Sequence, residues 1–109
     1  MASAAPTPGT QSSEKEKLEH TPLWNVVLLD DDQHTYEYVI EMLCRLFFKT
    51  IEEAYGHAVE VDSTGRTIVM TCDRQAAEFG RDQIHAYGAD PRAPQCSGSM
   101  SAIVEPAAG

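Results

Sequence analysis

Trp24 to Leu29 is an almost wholly apolar run, the pattern of a short strand covered by the rest of the fold. The spacing then changes to that of a helix. Apolar residues fall at Tyr36, Val39, Ile40, Leu43 and Phe47, one buried stripe widened by Met42, Leu46 and Phe48, with Thr35 placed to cap the start. Thr50 and Glu53 stand in capping-box spacing. They open a second helix expected to run to about Val61, with Ile51, Ala54, His57, Ala58 and Val61 on one face. A turn follows at Ser63-Thr64-Gly65-Arg66, where Gly65 is free to take positive φ. The β-branched run Thr67 to Cys72 predicts a second strand. Asp73 caps a third helix with Ala77, Gly80, Ile84 and Tyr87 toward the core, and Gly88 suits its C-terminal end. Asp90 to Gly98 reads as loop and Ser99 to Val104 as a closing strand. The order β-α-α-β-α-β predicts an α+β domain, a small three-stranded antiparallel sheet packed against three helices.

Upstream of the first strand the pattern stops. Residues 1–21 are rich in Ala, Ser, Pro and Thr and then charged at Glu14-Lys15-Glu16-Lys17, too poor in apolar residues to offset the entropy of ordering. They are expected to form a flexible N-terminal arm, residues 22–106 the folded domain, and 107–109 a frayed tail. Met1 to Ser13 lacks the apolar stretch of a secretory signal, and no run approaches the roughly 20 residues of a membrane span. The expected compartment is the cytoplasm.

A net charge of −9 and a pI near 4.7 argue against nucleic acid and anionic membranes as partners, because both are recognised by clustered Lys and Arg. Cys44, Cys72 and Cys96 are odd in number and widely spaced, fitting neither a disulfide framework nor a zinc knuckle, and are expected to be reduced thiols. No nucleophile–base pair or metal-ligand spacing stands out, which favours a binding module over an enzyme. His57 and Asp62 lie five apart on one predicted helix and share no face well. His85 stands alone on another.

Candidate chemistry therefore concentrates at Asp30-Asp31-Asp32, three carboxylates between a buried strand and a helix. Adjacent anions repel, so a visiting cation is expected: a metal ion, a Lys or Arg, or an ammonium group. A plain solvated turn that favours the positive end of the next helix is one reading. A phosphoacceptor receiver domain is a second, with Asp73 ending a later strand. That reading fails, because no lysine follows Lys49 and too little chain remains for five β-α units.

The third reading comes from a resemblance. Val27-Leu28-Leu29, Asp30-Asp31-Asp32, the Tyr38-Val39-Ile40 helix, Phe47-Phe48, Val61-Asp62, Gly65-Arg66 and Val104-Glu105 follow one another as the corresponding pieces do in the ClpS family. The resemblance covers Val26 to Glu105. ClpS proteins are adaptors that deliver N-degron substrates to a Clp AAA+ protease. The family's pocket holds a substrate's α-ammonium at a polar mouth and a bulky apolar first side chain inside. Carried over, Asp30, Asp31, Asp62 and His34 form the ammonium-binding set, with Tyr36, Val39, Ala58, Val61 and Met100 as pocket walls. Asp30 stands where the family has Asn, Asp62 where it has His, His34 where it has Thr, and Thr35 where it has Pro. Tyr36 and Ala58 both replace a common Met. By itself, His34 reads as a surface histidine.

The chemistry suits the task. Ionised carboxylates only accept hydrogen bonds, an ammonium only donates them, and the charge strengthens each one. Protease docking maps to Asp73, Gln75 and Glu78. The implied partners are N-degron proteins beginning with Leu, Phe, Tyr or Trp and the N-terminal domain of a ClpA- or ClpC-like unfoldase. The implied protein is a monomer with no cofactor and no metal. A ClpS-fold paralogue with a changed ligand and an acidic metal-binding domain are the alternatives.

Overall fold

A computed structural model describes residues 22–108. The expected N-terminal arm, residues 1–21, lies outside the described residues. The elements follow the expected order. Strand β1 is Trp24–Leu29, α1 is Tyr36–Phe47, α2 is Ile51–Thr64, β2 is Arg66–Cys72, α3 is Arg74–His85 and β3 is Ser101–Pro106. The strands form one antiparallel sheet in the order β2-β1-β3. β1 is central, which is why four successive residues, Asn25 to Leu28, are all buried.

Val26 and Leu28 pack with Tyr38, Val39, Met42 and Leu43 of α1, Ala54 and Ala58 of α2, and Ala77 and Ile84 of α3. On β2 the register slips between Val26 and Val27, so Val69 is the extra residue of a bulge and points into the same core. Gly80 lets α3 approach: a Cβ there would come within 3.1 Å of the Phe47 ring.

Caps fix the helix ends. Thr35, Thr50 and Asp73 accept from the Tyr38, Glu53 and Ala76 backbone N–H groups, and Thr50 with Glu53 completes the capping box.

Several local expectations are corrected. α2 continues through Thr64 rather than ending near Val61, because Gly65, at φ 90°, supplies the left-handed cap one turn later. β3 is shifted to Ser101–Pro106, paired with β1 from Leu29 to Trp24, and Ala107 still donates its N–H to the Leu23 carbonyl. Phe48 does not widen the apolar stripe of α1. It caps the helix at φ 56° and is 88% exposed. Ile51 is likewise exposed, since the first residue of α2 precedes the part of the helix that meets the core.

Candidate functional site

The three-residue link Phe48–Thr50 turns α2 back along α1, so the start of α1 meets the end of α2. Tyr36 and Val39 share a face of α1 at i,i+3 spacing, and Ala58 and Asp62 share one of α2 at i,i+4. At the rim of this junction the Tyr36 hydroxyl donates a 2.7 Å hydrogen bond to Asp62 Oδ2. That bond, with the Asp62 and Asp30 charges, holds the Tyr36 phenol above its ordinary pKa. Tyr55 meets the Tyr36 ring edge-on at 6.1 Å. Asp30 joins the group through its backbone, its N–H donating to the Gly65 carbonyl at the end of α2. Asp30, Asp62 and Tyr36 are therefore brought together at an exposed rim. Val39, Ala58, Val61 and Met100, the expected pocket walls, are 1–3% exposed, and Val39, Ala58 and Met100 belong to the hydrophobic core.

Asp31 faces the other side of the same turn. It accepts from the Gln33 N–H at 3.0 Å and pairs with His34 Nδ1 at 2.7 Å. Asp32, at φ 64°, makes the reversal between them. His34 is no surface histidine: its side chain is 2% exposed. Its Nε2 lies 2.8 Å from the Gly98 carbonyl and 3.1 Å from Cys96 Sγ, and its ring lies 4.4 Å from that of Tyr38. The structure thus sets the local pair Asp31 and His34 against a loop more than 60 residues away in sequence. No local pattern could have announced that.

Asp90 locks the same loop to the start of α1. Its carboxylate accepts from Thr35 N–H at 2.9 Å, Thr35 Oγ1–H at 2.8 Å and Arg92 N–H at 2.9 Å. Burial opposes its ionisation, but these donors and the Arg92 charge outweigh it and hold the carboxyl below its usual range. The signal in the sequence was the Asp90-Pro91 pair, which marks a turn but not its partner. Tyr38, buried within α1, adds a third tie by donating to the Gly88 carbonyl at 2.6 Å. Burial pushes its phenol up.

The residues expected to dock the protease sit apart from this corner. Asp73 is spent on capping α3, Gln75 is exposed, and Glu78 is paired with Arg74 at 3.1 Å. A groove of about 670 Å³ opens between α1, β2 and α3, lined in part by Phe47, Phe48, Met70 and Phe79. It shares no residue with the acidic corner and carries no ionised acceptor for an ammonium, so the corner is the better candidate for cation binding. Among the described residues no three His, Cys, Asp or Glu side chains converge on a metal-sized point, and no helix is long and apolar enough to cross a membrane.

A family model described as ATP-dependent Clp protease adaptor protein ClpS matches residues 19–94. The Clp protease adapter protein ClpS of Vibrio atlanticus is 33% identical over 90 residues, 81% of this chain and 85% of that protein. The ClpS of Pectobacterium carotovorum is 32% identical over 85 residues, 78% and 80% of the two chains. Against Campylobacter jejuni ClpS the identity is 36% over 61 residues, 56% of this chain, and the match spans 64% of that relative's length. Among solved structures, Agrobacterium tumefaciens ClpS2 bound to L-phenylalaninamide shares the fold. Its TM-score is 0.69 at 22% identity, covering 81% of this chain and all of that one.

Proposed function

The chain belongs to the ClpS family of Clp protease adaptors, and from that premise we propose that it binds proteins through a free N-terminal Leu, Phe, Tyr or Trp and hands them to a Clp unfoldase. The observation that carries this reading is the rim itself. Two carboxylates from separate elements, Asp30 and Asp62, gather at Tyr36 where α1 and α2 bury apolar side chains, while Asp31 faces the other side of the turn and holds His34. Such a rim accepts the three N–H groups of an α-ammonium, and the Tyr36 ring offers an apolar wall to the first side chain. Neither feature alone singles out a degron; a Lys lacks the apolar first residue and a buried Leu lacks the amine. The ClpS2 structure with L-phenylalaninamide, a free amine carrying an aromatic side chain, supports the same chemistry.

Asp73, Gln75 and Glu78 at the start of α3 are the proposed docking positions for the N-terminal domain of a ClpA- or ClpC-like partner. The protein acts as a monomeric, non-catalytic adaptor in the cytoplasm.

The test is fluorescence-anisotropy binding of a peptide beginning with Phe against its N-acetylated twin. The free peptide binds and the acetylated one does not. Asp30→Ala weakens binding by about 10- to 100-fold, the worth of one charge-assisted hydrogen bond. Equal binding of both peptides, or of neither by a folded sample, overturns the reading.

A further inference from the structure

Nothing in peptide recognition calls for the buried contact between His34 and Cys96. Three polar side chains stand in series there: Asp31, then His34 with Nδ1 2.7–2.8 Å from the carboxylate, then Cys96 with Sγ 3.1 Å from Nε2. Ionised Asp31 can only accept, so Nδ1 carries a proton, and the Gly98 carbonyl 2.8 Å from Nε2 can only accept too, so that contact is a hydrogen bond once Nε2 has taken a second one. The Cys96 thiol, with Sγ 3.1 Å from Nε2, is placed to supply it. The Gly98 carbonyl, 2.8 Å from Nε2 and 3.0 Å from Sγ, accepts from whichever atom holds the proton, so both protonation states keep a partner. This is the arrangement of a nucleophile, its base and the group that orients the base.

The loop is built to hold it. Cys96 N–H donates to the Ala93 carbonyl and Ala93 N–H to the Asp90 carbonyl, and the Asp90 carboxylate accepts from Thr35, one residue from His34. Cys44 and Cys72 have no histidine within hydrogen-bonding distance among the described residues. Burial and the Asp73 charge raise the Cys72 thiol above its ordinary pKa.

We infer that Cys96 is a peroxide-reactive modification site, its thiol activated by His34 as base with Asp31 positioning the imidazole. In the reaction His34 Nε2 takes the thiol proton as Sγ attacks one oxygen of hydrogen peroxide. The S–O bond forms and the O–O bond breaks. The departing hydroxide takes the proton from His34 and leaves as water. The sulfur gives up two electrons and becomes a sulfenic acid, and the peroxide is reduced. None of this depends on peptide binding.

The test exposes the folded chain to hydrogen peroxide, quenches at intervals, denatures, and alkylates every remaining thiol. Peptide mass spectrometry then gives the rate of thiol loss at each cysteine. Cys96 is expected to react at least about tenfold faster than Cys44 and Cys72, although it is the most buried of the three. His34→Gln slows Cys96 by a similar factor and leaves the other two unchanged. Asp31→Asn, which presents an N–H to Nδ1 and puts the ring proton on Nε2, slows it too. If His34 merely holds the loop shut, His34→Gln opens the loop and speeds Cys96, and that result overturns the inference. So does wild-type Cys96 reacting no faster than Cys72. The wild-type ranking stands as a test even where a variant fails to fold.

Discussion

Tyr36 on α1 and Asp62 on α2 are joined by a 2.7 Å hydrogen bond from phenol to carboxylate, at the point where the two helices meet. The bond occupies one oxygen of the carboxylate and partly neutralises it. Tyr36→Phe keeps the aromatic wall and frees that oxygen. A Phe-initiated peptide is expected to bind about two- to fivefold tighter to Tyr36→Phe, the equivalent of one ordinary hydrogen bond. Asp62→Asn, which removes the charge, weakens it. Titration calorimetry of both variants checks the pair, and an effect in the same direction for both would sink the idea that they compete with the ligand.

Asp90 is expected to set the acid limb of stability. Its carboxyl sits below the usual 3.8 in the folded protein. Between that lower value and 3.8 the unfolded chain binds a proton that the folded one refuses, so acidification favours unfolding. The contribution is complete above about pH 4–5 and is lost as pH falls through the folded value. Asp90→Asn should cost about 1.5–3 kcal/mol at neutral pH and flatten this part of the curve. Urea denaturation from pH 2 to 7 measures both effects.

His57 behaves in the same sense at a higher pH. Burial and the Lys49 charge hold its imidazole below the ordinary 6.5. Protonation of the unfolded chain therefore begins first, and stability falls as pH drops below 6.5 toward the folded value. The ring Nδ1 is 2.8 Å from Thr67 Oγ1, which itself donates to Glu60. An NMR titration of the four histidines should find the His57 midpoint below 6.5; a midpoint above it would contradict the burial argument.

Tyr38→Phe removes the donor that satisfies the Gly88 carbonyl and leaves the packing almost unchanged. The expected loss is about 1–3 kcal/mol, the cost of an unpartnered buried acceptor, read from the shift in denaturant midpoint.

Gly80 is a packing position. Gly80→Leu places a side chain against Phe47 and Val26, and about 1–3 kcal/mol of destabilisation is expected despite the better helix propensity. A thermal melt is sufficient to measure it.

What the sequence determined by itself was whatever depends on neighbours within about one helical turn. The stripe Val39, Leu43 and Phe47, the capping box at Thr50 and Glu53, Asp73 as a cap and Gly65 as a stop are all local, and they placed every element in order. The three aspartates marked a candidate corner for a similar reason: like charges beside a buried strand are costly wherever the chain goes. Which distant groups meet around the acidic corner was decided only by the tertiary structure. Tyr36 reaches Asp62 across 26 residues, Asp90 reaches Thr35 across 55, and Gly98 meets His34 across 64. A periodicity of 2 or 3.6 carries no information over such separations. Hydrogen bonds form between groups that folding brings within 3 Å, and that proximity is set by how β1, α1 and the loop after α3 pack together. For this reason His34 read as a surface residue and became the buried centre of the loop, and Cys96, one reduced thiol among three, acquired a base.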